Sequence, residues 1–180
     1  LVDRGYSGLT TKEVAARAGF SNGALVHHYA TKADLVVAGT AYVYDEAVRR
    51  SQTSVKTAAA RRDPVGTFIS DCFRVYFEWP FLAALEVMVV ARTDPALAAQ
   101  IHPVIRRYRD LTNEVWLAVF RRSGFKGDDA IFALNITLNL VRGMALNSLW
   151  ARDMKFYRWL LRKWTELIRR DVGSLVPRTS

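Results

Sequence analysis

One cysteine, Cys72, stands in 180 residues. It excludes an intrachain disulfide and suits a reducing cytoplasm, where thiols stay free. Histidine is almost as scarce: of three, His27 and His28 are neighbours, whose side chains are expected to diverge on a helix. No metal-ligand spacing, glycine-rich phosphate loop or nucleophile motif is present. Enzyme readings therefore fail for want of parts, and no metal or cofactor is expected. Strand alternation is missing throughout, as are internal repeats and low-complexity segments. No apolar run reads as long and charge-free enough to span a bilayer; residues 79–91 come nearest and fit a buried helix. No signal peptide is visible.

What is present is helix former, cap and turn. Hydrophobic residues make up 51% of the chain, too many for disorder and enough for one or two domains with a sizeable core. The fold class expected is all-α. Residues 8–36 carry the sharpest pattern. Thr10-Thr11-Lys12-Glu13 is a capping box, stapled by Leu9 and Val14. Val14, Ala15 and Ala18 form a small apolar face, and Gly19 ends the helix where positive φ is wanted. Ser21 caps the next helix, with Phe20 and Leu25 as its staple; Thr31 caps a third, with Asp34 in its first turn. Two short helices joined on a glycine are a helix-turn-helix, which lays its second helix in the DNA major groove.

The run resembles the DNA-binding domain of the TetR family of transcriptional regulators. The resemblance rests on Gly5-Tyr6, Leu9-Thr10-Thr11, Val14-Ala15, Ala18-Gly19-Phe20-Ser21, Gly23-Ala24-Leu25, His28-Tyr29, Lys32 and Leu35. It implies an all-helical homodimer with N-terminal heads on a palindromic operator and a C-terminal domain for a small molecule. It also implies roles. Thr11 and Lys12 would contact phosphate. Asn22, Gly23 and Ala24 would open the recognition helix at the base edges. His27 and His28 would meet backbone or bases. Tyr29 would be partly core and partly phosphate contact, and Lys32 would grip a phosphate. Val26 departs from the pattern, standing where the family usually has a phosphate-binding tyrosine. Valine suits apolar contact with a thymine methyl instead. Asn22, His27 and Lys32 show no structural task in the sequence, which favours DNA contact. Leu1 and Val2 read as the last turn of a preceding helix.

Charge does not follow the head. The net charge is +9, yet residues 1–50 hold six Lys/Arg against five Asp/Glu, a net of +1, and leave +8 to the remainder. Arginine outnumbers lysine, as a GC-rich genome would produce. An anionic ligand, or a general field that holds DNA nearby, would account for the same excess.

The rest reads as capped helices. A connecting helix is expected over 32–56. Arg61-Arg62-Asp63-Pro64 reads as a loop, with Asp63 the cap of a helix over 64–79 that Pro80 breaks. Residues 81–92 are apolar on every side but Glu86 and read as an enclosed helix. Another helix starts at Asp94-Pro95, is kinked or divided at His102-Pro103, and ends at Ser123-Gly124. Asp128 is the expected cap of a helix to about Trp150, and the last helix is expected over 153–172. Residues 128–172 are the expected homodimer interface, with Tyr157, Leu160, Leu161, Trp164, Leu167 and Ile168 as a stripe, Gly143 permitting close approach, and Trp150 and Trp159 adding aromatic area.

A largely apolar effector, with an anionic group allowed by the basic excess, would bind among aromatic and buried residues. Candidates are Phe73, Phe77, Trp79, Phe81, Glu86, Met88, Trp116, Phe120, Asn139, Arg142 and Met144. Glu86 is costly if buried unpaired, and Arg142, with Asn135 and Asn139 along its helix, is the expected partner. The organisation expected is a head over 1–31, a connecting helix over 32–56, a ligand-binding and dimerisation domain over 57–173 and a tail over 174–180. Leu-Val-Pro-Arg in that tail resembles a thrombin recognition sequence, and the tail is assigned no function. Together these features predict a ligand-responsive, DNA-binding transcriptional regulator, a homodimeric repressor. The alternative is a helical small-molecule or partner-binding protein that has lost sequence-specific DNA binding.

Overall fold

A computed structural model describes residues 1–78 and 81–175, with side chains for all but Glu78 and 171–175. Among them are ten α-helices, one π-helical segment and no strand. The helices are α1 (Gly5–Gly8), α2 (Thr11–Arg17), α3 (Asn22–His28), α4 (Lys32–Ser54), α5 (Ala58–Arg62), α6 (Pro64–Phe73), α7 (Phe81–Ala91), α8 (Pro95–Arg122), α9 (Asp128–Asn147) and α10 (Met154–Leu175). The π segment, Arg74–Glu78, continues α6. Two compact units emerge, one of residues 1–48 with 80–109 and one of residues 49–79 with 110–180. This division differs from the expected one, because α7 and the first half of α8 join the head. α4 and α8 each contribute to both units.

The first unit is built on Val36, Val87, Ala91, Leu97 and Ile101, against which Leu1, Tyr6 and Leu9 pack. α7 is less enclosed than its composition suggests, since Leu82 and Val89 are exposed. α8 starts where expected, with Asp94 Oδ1 accepting from the Leu97 amide at 3.0 Å, and runs unbroken through Pro103.

The second unit centres on aromatic rings. Phe68 of α6 meets Trp116 at 5.0 Å and Phe120 at 5.2 Å between centroids, and Phe120 stacks on Phe125. Several sequence expectations are corrected here. Arg61 and Arg62 lie in α5 rather than a loop, because Thr57 accepts from the Ala60 amide and caps it. The connecting helix accordingly stops at Ser54. The helix expected over 64–79 changes to π pitch at Arg74. Gly127, at φ 47, is the N-cap of α9, which puts Asp128 in the first turn, and α9 ends at Asn147. α10, capped by Asp153 through the Phe156 amide, continues past Gly173 to Leu175. One glycine costs a helix only about 1 kcal/mol, too little to end it. Trp79 and residues 176–180 lie outside the described residues. α9 is also the one described helix long and apolar enough to cross a membrane, contrary to the expectation for the chain. Its buried face, with Ala130, Leu134, Val141 and Ala145, packs against α6 and the π segment.

A buried carboxylate sits in this unit. Asp71 of α6 accepts from the Ser51 hydroxyl at 2.8 Å and from Arg74 at 3.5 Å. Burial pushes its carboxyl above the usual carboxylate range, against the opposing pull of Ser51, Arg74, Trp116 and Arg50. The same burial pushes the Cys72 thiol well up, which makes it inert. With Asp71 raised, the folded chain binds a proton more readily than the unfolded one. This contribution to stability therefore grows as pH falls through the window from the folded value to the unfolded value, and is lost as pH rises through it. Asp71→Asn, which keeps an acceptor for Ser51, should flatten this part of the dependence. Denaturant midpoints across the acid range read it out; equal slopes in the two proteins would disprove it.

Candidate nucleic-acid interface

The head is assembled by local caps. Thr10 Oγ1 accepts from the Glu13 amide at 3.3 Å, and the Glu13 carboxylate reaches back to the Thr10 hydroxyl at 3.2 Å while pairing with Arg4. Gly19 takes φ 74. The Phe20 amide donates to Ala15 O at 2.9 Å and the Gly19 amide to Ala16 O at 3.2 Å. That is a Schellman closure, and it needs a left-handed residue at Gly19. Ala15, 1% exposed, is the buried contact of α2, whereas Ala18 is exposed. Ser21 then accepts from the Ala24 amide at 3.1 Å and starts α3. Thr31 and Asp34 form a full reciprocal box at the start of α4.

This construction leaves α3 facing outward. Asn22, Gly23, Ala24, Val26, His27 and His28 are exposed, and Leu25 and Tyr29 are half-buried toward the head. Val26 is 41% exposed, available as an apolar surface. Lys12 is exposed at the start of α2 and Thr11 half-buried beside it. The His27 and His28 rings do not diverge: their centroids are 5.6 Å apart at 24°. Among the described residues, no group of three metal-ligating side chains forms around them or elsewhere.

Lys32 differs from its sequence reading. Its Nζ donates to Ser7 O at 3.3 Å and lies 4.6 Å from the Tyr6 ring centroid. It has a structural task, gripping α1, beside the phosphate contact the resemblance implies. Burial, and then the Asp94 carboxylate, pushes the Tyr6 hydroxyl up. A cavity of about 360 Å³ opens in the head, with Leu1, Leu9 and Val14 as apolar lining and Asp3, Arg4, Glu13 and Arg17 as charged lining.

The residues proposed for an effector site fall in both units. Phe81, Glu86 and Met88 belong to the first, and Phe73, Phe77, Trp116, Phe120, Asn139, Arg142 and Met144 to the second. Trp116 and Phe120 are each 1% exposed and in contact with Phe68, which makes them core. Asn139 is exposed, and Asn135 donates to its own helix at Ile131 O. Phe73 and Phe77 stack at 4.6 Å. Arg142 Nε donates to the Tyr76 hydroxyl at 2.8 Å, a partner that is not among the residues expected from the sequence. Glu86 Oε1 accepts from the Tyr6 amide at 2.6 Å. Each of the two expected to pair thus has a partner within its own unit, and a Glu86–Arg142 pair is not needed to account for either.

A capped helix-turn-helix that presents one short helix outward, in an otherwise all-helical chain, defines a DNA-binding transcriptional regulator. Residues 1–38 match the family model described as bacterial regulatory proteins, tetR family. The chain is also 30% identical over 169 residues to the HTH-type transcriptional regulator CymR of Pseudomonas putida, covering 94% of this chain and 83% of that protein. No solved structure matches it. The chain belongs to the TetR family of transcriptional regulators.

Proposed function

We propose that this chain is a homodimeric repressor that leaves a palindromic operator when a small, largely apolar molecule binds its helical body. The outward face of α3 carries the reading: Asn22, Ala24, Val26 and His27 stand exposed on a helix that the Ser21 cap and the Gly19 turn fix in place. Two such helices, about 34–36 Å apart in a dimer, reach successive major grooves. Support for the dimer comes from the exposed apolar side chains of α9 and α10, among them Phe132, Leu146, Phe156, Trp159 and Leu167. Tyr157, Leu161 and Ile168 of the expected stripe are buried within the chain, whereas Leu167 of the same stripe is exposed. Support for an effector site in the second unit comes from the Arg142–Tyr76 pair at the π segment, beside the stacked Phe73 and Phe77.

The test is fluorescence anisotropy on the DNA upstream of the chain's own gene, across a salt series. Selective binding should weaken steeply with salt, because phosphate neutralisation releases counterions. Lys12→Ala should weaken all sequences alike and lower the salt slope by about 1 per head engaged, whereas Asn22→Ala should cost about 1–3 kcal/mol on the selected sequence and relax selectivity. Binding that is weak, unselective and insensitive to both changes would return the protein to a ligand- or partner-binding role.

A further inference from the structure

We infer that Glu86 is a positioning residue for DNA recognition: from α7 it caps α1, and this contact fixes where the reading head sits. The inference rests on the DNA-binding reading and adds to it a residue outside the helix-turn-helix.

α1 has only four residues and no cap of its own, since no side chain of Arg4 accepts from its first turn. Such a turn leaves its amides without intrahelical acceptors. Glu86 supplies one: its Oε1 accepts from the Tyr6 amide at 2.6 Å, across 80 positions of sequence. α7 is otherwise apolar, from Phe81 to Ala91, and a half-buried carboxylate is expensive there unless a donor is aimed at it. Gly5 makes the approach possible. At φ 67, a Cβ on Gly5 would overlap Glu86 Oε1 and lie 3.0 Å from its Cδ. The glycine is therefore required by its backbone angle, and its missing Cβ leaves room for the carboxylate beside it.

The other end of α1 is held as well. Lys32, the first residue of α4, donates to Ser7 O and covers the Tyr6 ring. Four residues are thus clipped at their amide end by α7 and at their carbonyl end by α4, while Tyr6 packs on the Val36–Val87 core. Leu9 and Thr10, which staple and cap α2, follow at once. Moving α1 moves the start of α2, and α3 follows through the Gly19 turn. Glu86 therefore acts on DNA through Tyr6 rather than by touching it.

The test uses the full chain and a duplex selected by the wild-type protein from a random library. Glu86→Leu should speed amide exchange across residues 5–8 by about tenfold or more and weaken binding to the selected duplex by a similar factor, with little change in the midpoint of global unfolding. Glu86→Gln, which keeps an acceptor oxygen, should restore most of both. Glu86→Ala, which removes the carboxylate without adding bulk, should repeat the loss of affinity and serves if Glu86→Leu does not fold. Faster exchange with unchanged affinity would overturn the positioning role, as would unchanged exchange. A wild-type protein that selects no sequence would overturn the DNA-binding reading together with this one, whereas normal selection with an indifferent Glu86→Leu overturns this one alone.

Discussion

Trp116→Ala is expected to cost about 3–5 kcal/mol of folding stability, the loss typical of removing a large buried ring. Trp116 is 1% exposed, lies 5.0 Å from Phe68 and is close to Phe120. Its indole also pulls the Asp71 carboxyl down against the effect of burial, as a hydrogen-bond donor does. Alanine opens a cavity and takes a partner from a buried acceptor at the same time. Native domains hold only about 5–15 kcal/mol in all, so the variant should unfold at markedly lower denaturant. Trp116→Phe separates the two parts: it keeps most of the packing and loses only the donor, for about 1.5–3 kcal/mol. Equal losses in the two variants would mean that the hydrogen bond, and not the packing, dominates at this position.

Trp159→Glu is the second large expectation, and it concerns assembly. Trp159 stacks on Phe156 at 5.7 Å while remaining 45% exposed. It shares an outward face with Leu167 on α10, and Phe132, Leu146 and Gly143 are exposed on α9. Aromatic anchors at the centre of an interface are worth about 2 kcal/mol or more each, and a carboxylate there adds desolvation. The dissociation constant of the proposed dimer should rise by about thirtyfold or more, with helix content preserved because the side chain is half in solvent already. Sedimentation velocity reads the shift, and binding to a two-half-site duplex should fall with it. An unchanged sedimentation profile would remove this face from the interface.

How much was legible in the sequence depended on the range of each interaction. Thr10, Ser21 and Thr31 bond three residues away, so their caps can be read by spacing alone. Gly19 sits where its φ of 74 is needed, for the same reason. The reading head was therefore visible before any tertiary contact was known. Glu86 was singled out correctly as anomalous, but its partner is the amide of Tyr6, and a backbone donor leaves no mark in the sequence. Lys32 read as free for DNA because its acceptor, Ser7 O, is equally anonymous. α5 was missed because the two arginines and Asp63-Pro64 spoke for a loop, while the Thr57 cap that starts the helix lay upstream of them. The effector residues were the least legible. Aromatic density marks core and pocket alike, and Trp116 and Phe120 proved to be core.

The π segment at Arg74–Glu78 means that chain length, as much as side-chain chemistry, aims Tyr76 at Arg142. A π turn is in effect one residue more than an α turn accommodates. Deleting Val75 alone would let the helix relax to ordinary pitch, turning Tyr76 within the segment while the end of the segment keeps nearly its former phase relative to α6. Tyr76 would then lose its bearing on α9 with no change in its own identity. Within this stretch a one-residue gap is a change of aim for Tyr76, and alignments of relatives should be gapped here only where the arginine opposite has changed too.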